Sequence, residues 1–246
     1  MARRAAHTKE RSTRNRVLLF IEVVCIIVAL VCAGFFIWTI ANRYVLPSNE
    51  FKEITTQTNR EIPKLRQLNG DAAGWVIVED TRIDYPVMYT PDDPEHYLHL
   101  NVDGEYSAAG TPFFGEGSDP ENPDTNSVIV YAHHMRDGSM FGQLEKFADR
   151  QWALEHPITY IDEAGQYSYH VIGAWHEDLS HDGYYRYWDH VGALSEEQFD
   201  EFVNDVEKHS AYSTDTEVSY GDKLLMLSTC SYGTSEERFV VVAVRE

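Results

Sequence analysis

The spacing of apolar residues divides this chain into stretches of different character. Residues 17–41, "VLLFIEVVCIIVALVCAGFFIWTIA", form a run of 25 that is almost unbroken by polar side chains. As a helix the run would span about 37 Å, enough to cross a hydrocarbon core of roughly 30 Å with some tilt. Residues 44–70 are mixed and polar, and predict a linker leading into one or two helical pieces interrupted at Pro63. From residue 72 the pattern changes to short β-type runs between Gly, Pro and Asp clusters, at 74–80, 84–90, 127–134, 158–162, 167–175, 223–230 and 238–245. "EAGQ" at 163–166 is a hairpin turn signal between two of them. Helices are expected at 139–147 and, more strongly, at 195–209, where Ser195 and Gln198 make a capping-box pattern. Phe199, Phe202, Val203 and Val206 then form one core-facing stripe. Seven or more short strands with few helices predict a mainly β domain, a barrel or a sandwich, and argue against a βαβ fold.

Charge sharpens the division. Seven of the 20 Lys and Arg residues, but only Glu10 and Glu22 of the 40 acids, lie in the first 43 positions. The remainder carries 13 basic and 38 acidic residues, about −25, which repels nucleic-acid phosphates and anionic lipid surfaces. Such a body is readily soluble and leaves room for cationic or amine-bearing partners. Six basic residues precede the apolar run and Arg43 follows it, so the positive-inside rule puts the N-terminus in the cytoplasm and residues 44–246 outside. The run is long for a signal peptide, and "TIA" at 39–41 is a poor cleavage site, so the segment is expected to stay as an anchor.

Of the three cysteines, Cys25 and Cys32 fall inside that anchor as small apolar residues, leaving Cys230 alone in the exported part. No intrachain disulfide is possible there; the thiol is either inert and buried or reactive. It ends an apolar run, and Arg238 opens the next. If the two strands form an antiparallel hairpin, thiol and guanidinium become neighbours about 5 Å apart. Alternation puts Ser228 and Cys230 on one face and Leu225 and Leu227 on the other. A thiol also needs a base, since few per cent of it is ionised at neutral pH. "VIVYAHHMRDGSMF" (128–141) supplies two histidines at another strand end, and spacing alone admits either His133 or His134. The acidic loop 115–126 reads as a solvated turn, and no CxxC, HExxH, P-loop or GxGxxG pattern is present.

At these residues the sequence resembles the sortases, membrane-anchored cysteine transpeptidases of Gram-positive bacteria, and most closely class B. The family's TLxTC strand end is matched by Leu227-Ser228-Thr229-Cys230, its arginine by Arg238, and its histidine segment G-H-x-M-x-x-G-x-M-F by "AHHMRDGSMF". "GWVIVEDTRIDYPVMY" (74–89), "YLHLNVDG" (97–104) and "GTPFF" (110–114) also match class B spacing. The chain order His, Cys, Arg is opposite to the papain-like order of Cys before His. Met226 replaces the signature's first Thr, and Ala132 the Gly before the histidine.

The resemblance implies a closed β-barrel with short helices and an inserted helix before the cysteine strand, plus the N-terminal transmembrane helix. The implied division is a cytoplasmic basic tail (1–16), a signal-anchor helix (17–41), a linker with an N-terminal helical segment (42–70) and a catalytic domain (71–246). It implies His133, Cys230 and Arg238 as catalytic residues, with His133 chosen over His134 by motif register, and Ser228 and Thr229 as substrate contacts. No metal or cofactor is implied. The expected partners are secreted proteins with a C-terminal sorting signal and an amine from a peptidoglycan cross-bridge. The alternatives are a pilin lysine as the amine, or a non-catalytic envelope-binding protein.

Overall fold

The computed structural model describes residues 2–40, 46–230 and 236–246. The start of the expected linker, 42–45 with Arg43, and the 231–235 connection lie outside the described residues. The chain divides into two compact units, one up to Leu46 and the other from Pro47. In the first, helix α1 (Ala2–Ile40) contains a stretch, Leu18–Thr39, that is long and apolar enough to cross a bilayer. None of that stretch is buried against protein.

The second unit opens with α2 (Leu46–Thr58) and α3 (Ile62–Leu68). The interruption expected at Pro63 falls earlier, at Asn59 and Arg60, both at positive φ. Pro63 sits in the first turn of α3, where its missing N–H has no partner to lose. Arg60 Nε donates to Asp84 Oδ1 at 2.8 Å, a second guanidinium N–H binds the other carboxylate oxygen, and the Trp75 indole shares the same carboxylate. The break between the helices is thereby tied to the sheet.

Eight strands follow: β1 (Ala72–Val78), β2 (Asp84–Met88), β3 (Phe113–Phe114), β4 (Ser127–Ala132), β5 (Ile158–Ile161), β6 (Gln166–Asp178), β7 (Leu224–Cys230) and β8 (Glu237–Arg245). They close into a barrel in the order β1-β2-β3-β4-β7-β8-β6-β5. Closure leaves no open edge, which settles the barrel-or-sandwich choice. The β5–β6 hairpin turns at the expected "EAGQ", with Ile161 opposite Gln166. The two-residue β3 escaped the periodicity because it is too short to show one.

β4 and β7 are parallel neighbours, and both faces of β7 are buried. Leu224 and Met226 face a cluster with Phe199, Phe202 and Val206 of α5 (Glu196–His209), while Leu225 and Leu227 take the opposite face by alternation. The α5 cap forms as the sequence predicts, with Ser195 accepting from the Gln198 amide and Gln198 Oε1 accepting from the Ser195 amide. At Gly173, beside a bulge in β6, a Cβ would lie 2.6 Å from Val206 Cγ1. Glycine there lets α5 rest on the sheet backbone.

The helix expected at 139–147 is absent. Met140 has positive φ, its amide donates to the Tyr85 hydroxyl at 3.0 Å, and the Phe141 amide donates to the His133 carbonyl at 3.0 Å. The left-handed backbone at Met140 cannot belong to a right-handed helix, and the two tertiary bonds hold it there. A 3-10 turn (Leu144–Ala148) and a short α4 (Arg150–Glu155) follow instead.

Candidate active site

Two strand ends and one turn build the site. Along the parallel pair, Tyr131 lies opposite Ser228 and Ala132 opposite Thr229. The next residues on the two strands are His133 and Cys230, so they leave the barrel rim side by side, on strands about 4.8 Å apart. On its other side β7 pairs antiparallel with β8, and Cys230 is the register partner of Arg238. Arg238 is in turn the partner of Glu177 on β6. One row across the sheet therefore holds 177, 238 and 230, with 133 at its end.

The His133 ring is held from outside the sheet. Its Nε2 lies 2.9 Å from the carbonyl oxygen of Leu98. A carbonyl can only accept, so Nε2 carries the hydrogen and Nδ1 is the nitrogen that can take or give up a proton. His99 stacks on the ring with centroids 5.1 Å apart and planes 23° from parallel. Burial holds the His133 pKa below its ordinary value, and His99 adds to the effect, while the Leu98 carbonyl acts in the opposite direction.

Leu98 and His99 belong to a rigid 3-10 turn, His96–His99. Tyr97 is buried there, its hydroxyl donating to Asp71 at 2.8 Å and accepting from the Asn69 amide at 2.7 Å. The Tyr97 and His99 carbonyls accept from the amides of Thr111 and Ser107. Gly110, at φ +62, packs so closely that a Cβ would lie 2.3 Å from the Leu98 oxygen. The acceptor that orients His133 is thus fixed from both sides.

Arg238 is half-buried and donates to the Glu237 carbonyl at 3.0 Å. Its charge reaches Tyr131, whose hydroxyl pKa burial drives far upward and Arg238 pulls back in part. Ser228 is fully buried, and its hydroxyl shares a 2.8 Å hydrogen bond with Tyr187, a ring set edge-on to Trp175. Thr229 is also buried. Cys230 is placed by its backbone. His134 follows a different path from His133: its backbone bridges to Met140 and its buried ring lies 3.7 Å from Glu145.

Sequence reasoning missed Glu177. Its buried carboxylate accepts from the Trp175 indole at 3.1 Å and from the Tyr185 amide at 2.8 Å, pinning the aromatic stretch 183–190 beside Arg238. It missed His99 too, which reads as an ordinary surface histidine until the 96–99 turn is folded against β4. Among the described residues no group of three or more His, Cys, Asp or Glu is arranged to hold a metal. A 470 Å³ cleft lined by Ile172, Val203, Val206 and residues 213–219 shares no residue with this site.

An antiparallel and parallel β-barrel carrying a histidine, a cysteine and an arginine on adjoining strand ends defines a class of protein, and the comparisons agree on it. A profile of the sortase domain matches residues 76–246. Sortase B of Listeria monocytogenes is 34% identical over 178 residues, covering 72% of this chain and 70% of that protein. Among solved structures, Clostridium perfringens sortase B is 25% identical with a TM-score of 0.66, over 75% of this chain and 98% of that one. A Bacillus anthracis protein described as similar to sortase B is 31% identical with a TM-score of 0.65, over 75% and 81%. The chain belongs to the sortase family of transpeptidases, and its relatives place it in class B.

Proposed function

We propose that the chain is a cysteine transpeptidase that cuts a C-terminal sorting signal on a secreted protein and joins the new carboxyl end to a peptidoglycan amine. The observation that carries the assignment is the register that brings Arg238 opposite Cys230 on one side and His133 level with it on the other. In the first step the Cys230 thiol gives its proton to His133 Nδ1 and the sulfur attacks the scissile carbonyl carbon. The carbon–nitrogen bond breaks, and the departing amine takes a proton from His133 Nδ1. An acyl-thioester remains. In the second step a primary amine attacks the thioester, His133 Nδ1 accepts its proton, and the sulfur leaves as thiolate. Arg238 donates to the oxyanion of each tetrahedral intermediate, a contribution on the order of 3 kcal/mol for a preorganised donor.

The absence of a carboxylate in the role of histidine orienter has a physical substitute. The Leu98 carbonyl fixes the tautomer and leaves the imidazolium without a neutralising partner, so the positive charge stays available to a thiolate. Ser228 and Thr229 contribute to the substrate groove by supporting its floor, Ser228 through Tyr187. The apolar stretch Leu18–Thr39 fits a membrane anchor. With the basic tail inside, the barrel works at the outer surface, where exported substrates pause.

The test is intact-protein mass spectrometry with a sorting-signal peptide in the absence of amine. A mass increase equal to the acyl fragment, lost in Cys230→Ala and discharged by added amine, is the expected result. No adduct with any exported protein of the same cell would overturn the reading. The linked product then identifies the nucleophile: a cross-bridge amine supports wall anchoring, and a lysine isopeptide between two proteins indicates polymerisation.

A further inference from the structure

Between the end of α5 and the start of β7 the chain runs extended outside the sheet. In this stretch, "AYSTDTEVS" at 211–219, Ser213, Asp215 and Glu217 are exposed, while Thr214, Thr216 and Val218 between them are half-buried. Such alternation is the side-chain pattern of a β-strand. The two ends are tied down. The Ala211 amide donates to the Ala174 carbonyl on β6 at 2.9 Å, and the Ser219 amide donates to Asp222 at 2.9 Å. Between these ties, among the described residues, the amides of 213–218 have no hydrogen-bond partner. Of the carbonyls of 213–218, that of Ser213 alone has one, Arg150 Nε at 2.9 Å. A fixed, extended backbone with free donors and acceptors is an edge open to a further strand. The 470 Å³ cleft runs along it: every residue from 213 to 219 lines that cleft, exposed and half-buried alike. Its floor is apolar, with Ile172 and Val206 buried and Val203 half-buried.

We propose that this cleft is a docking site for an extended, basic peptide segment of another protein. The segment pairs with 213–218 as an added strand and sets apolar side chains on the Ile172, Val203 and Val206 floor. Strand addition uses this arrangement: main-chain bonds hold the peptide, and alternate side chains fill the groove. Pairing along 213–218 would extend over roughly 20 Å. Charge selects the peptide. Exposed Glu207, Asp215 and Glu217 stand around the cleft, and among the described residues no Lys or Arg lines it. Arg150 reaches one end only, 3.5 Å from Asp215, and Lys208 is turned to Asp205 at 2.7 Å. A second copy of a body with 13 basic and 38 acidic residues brings more negative charge to the same place, as do nucleic acids and anionic lipids. A lysine- or arginine-bearing strand brings the opposite sign. The segment leads into β7 at Leu224, whereas Cys230 closes the far end of that strand, and the cleft shares no residue with the His133, Cys230 and Arg238 row. The proposal is independent of the reaction above.

The experiment titrates the full chain in detergent micelles with a capped peptide of alternating valine and lysine. Calorimetry follows binding, and hydrogen exchange follows the 213–218 amides. The expected result is saturable binding with slowed exchange at every second amide of 213–218, because successive amides of a strand point to opposite sides. Two further peptides carry N-methyl groups on the odd or on the even amides. One should bind as the parent does and the other at least about tenfold more weakly, since only one edge of an added strand pairs. Glutamate in place of lysine in the peptide should abolish binding. Glu207→Gln combined with Glu217→Gln should weaken the parent peptide about two- to tenfold. Both positions are exposed, so that variant should keep its thermal midpoint and its transpeptidation rate. Equal effects of the two methylations, slowed exchange only outside 213–218, indifference to the two glutamines, or no saturation would overturn the proposal. Slowing of the same amides with protein concentration alone would assign the cleft to a second copy and overturn it as well.

Discussion

Cys230 and Arg238 are brought together by a ladder of backbone hydrogen bonds between consecutive strands, whereas His133 is oriented by a carbonyl 35 residues earlier in the chain and a ring stacked on it. The first arrangement is local in sequence and depends little on which side chains surround it. The second depends on a turn whose every neighbour has to be in place. A ladder fixes positions along a strand; it does not fix the angle of a ring. The site therefore joins a sturdy half, which holds Cys230 and Arg238, to a tuned half, which holds His133; in the proposed reaction they supply the nucleophile and the proton.

Breaking the sturdy half should have the largest effect. Cys230→Ala is expected to lower transpeptidation by at least about 10³-fold, measured by product formation, with the thermal midpoint nearly unchanged. Arg238→Ala should lower kcat by about 10² to 10³-fold, and Arg238→Lys should recover only a fraction, because a lysine cannot present paired donors. In the tuned half, Gly110→Ala forces a Cβ toward the Leu98 oxygen at a backbone angle alanine resists, and should cost roughly 1–3 kcal/mol. Its kcat should fall about tenfold, while the rate of thiol labelling at Cys230 stays as before; equal loss of both would mean that the halves are not separate. Tyr97→Phe removes the bonds to Asp71 and Asn69 and should cost about 1 kcal/mol, a drop of roughly 2–4 °C in Tm.

The smallest effect concerns pH and stability. Burial depresses the pKa values of His133 and His190 below 6.5 in the folded chain. Below about 6.5 the unfolded chain binds protons that the folded one refuses, so stability is intact above that pH and declines as pH falls through it. Calorimetry between pH 7 and 5 should show this decline, and His190→Phe should flatten it.

The ladder half was legible in the sequence. Two apolar runs separated by a short connection, with Cys230 closing one and Arg238 opening the other, already imply in-register neighbours. The capping box of α5 and its Phe199, Phe202 and Val206 stripe were equally plain, because their signals lie within four residues of one another or repeat with the helix period. What stayed hidden depends on distant partners. The Tyr85 hydroxyl and the His133 carbonyl bind the amides of Met140 and Phe141 and hold Met140 in a left-handed conformation that no right-handed helix contains. His99 looked ordinary because nothing near it in the chain announces His133. Glu177 was hidden among the many acids of an acidic body, its two neutral donors visible only once β6 and the 183–190 stretch meet.

In the closed barrel β8 lies between β6 and β7, although it follows both in the chain. Until β8 pairs, β6 and β7 lack the strand that lies between them, and Cys230 lacks its register partner Arg238. Closing the barrel between β6 and β7 and setting Arg238 opposite Cys230 are therefore a single event of strand pairing.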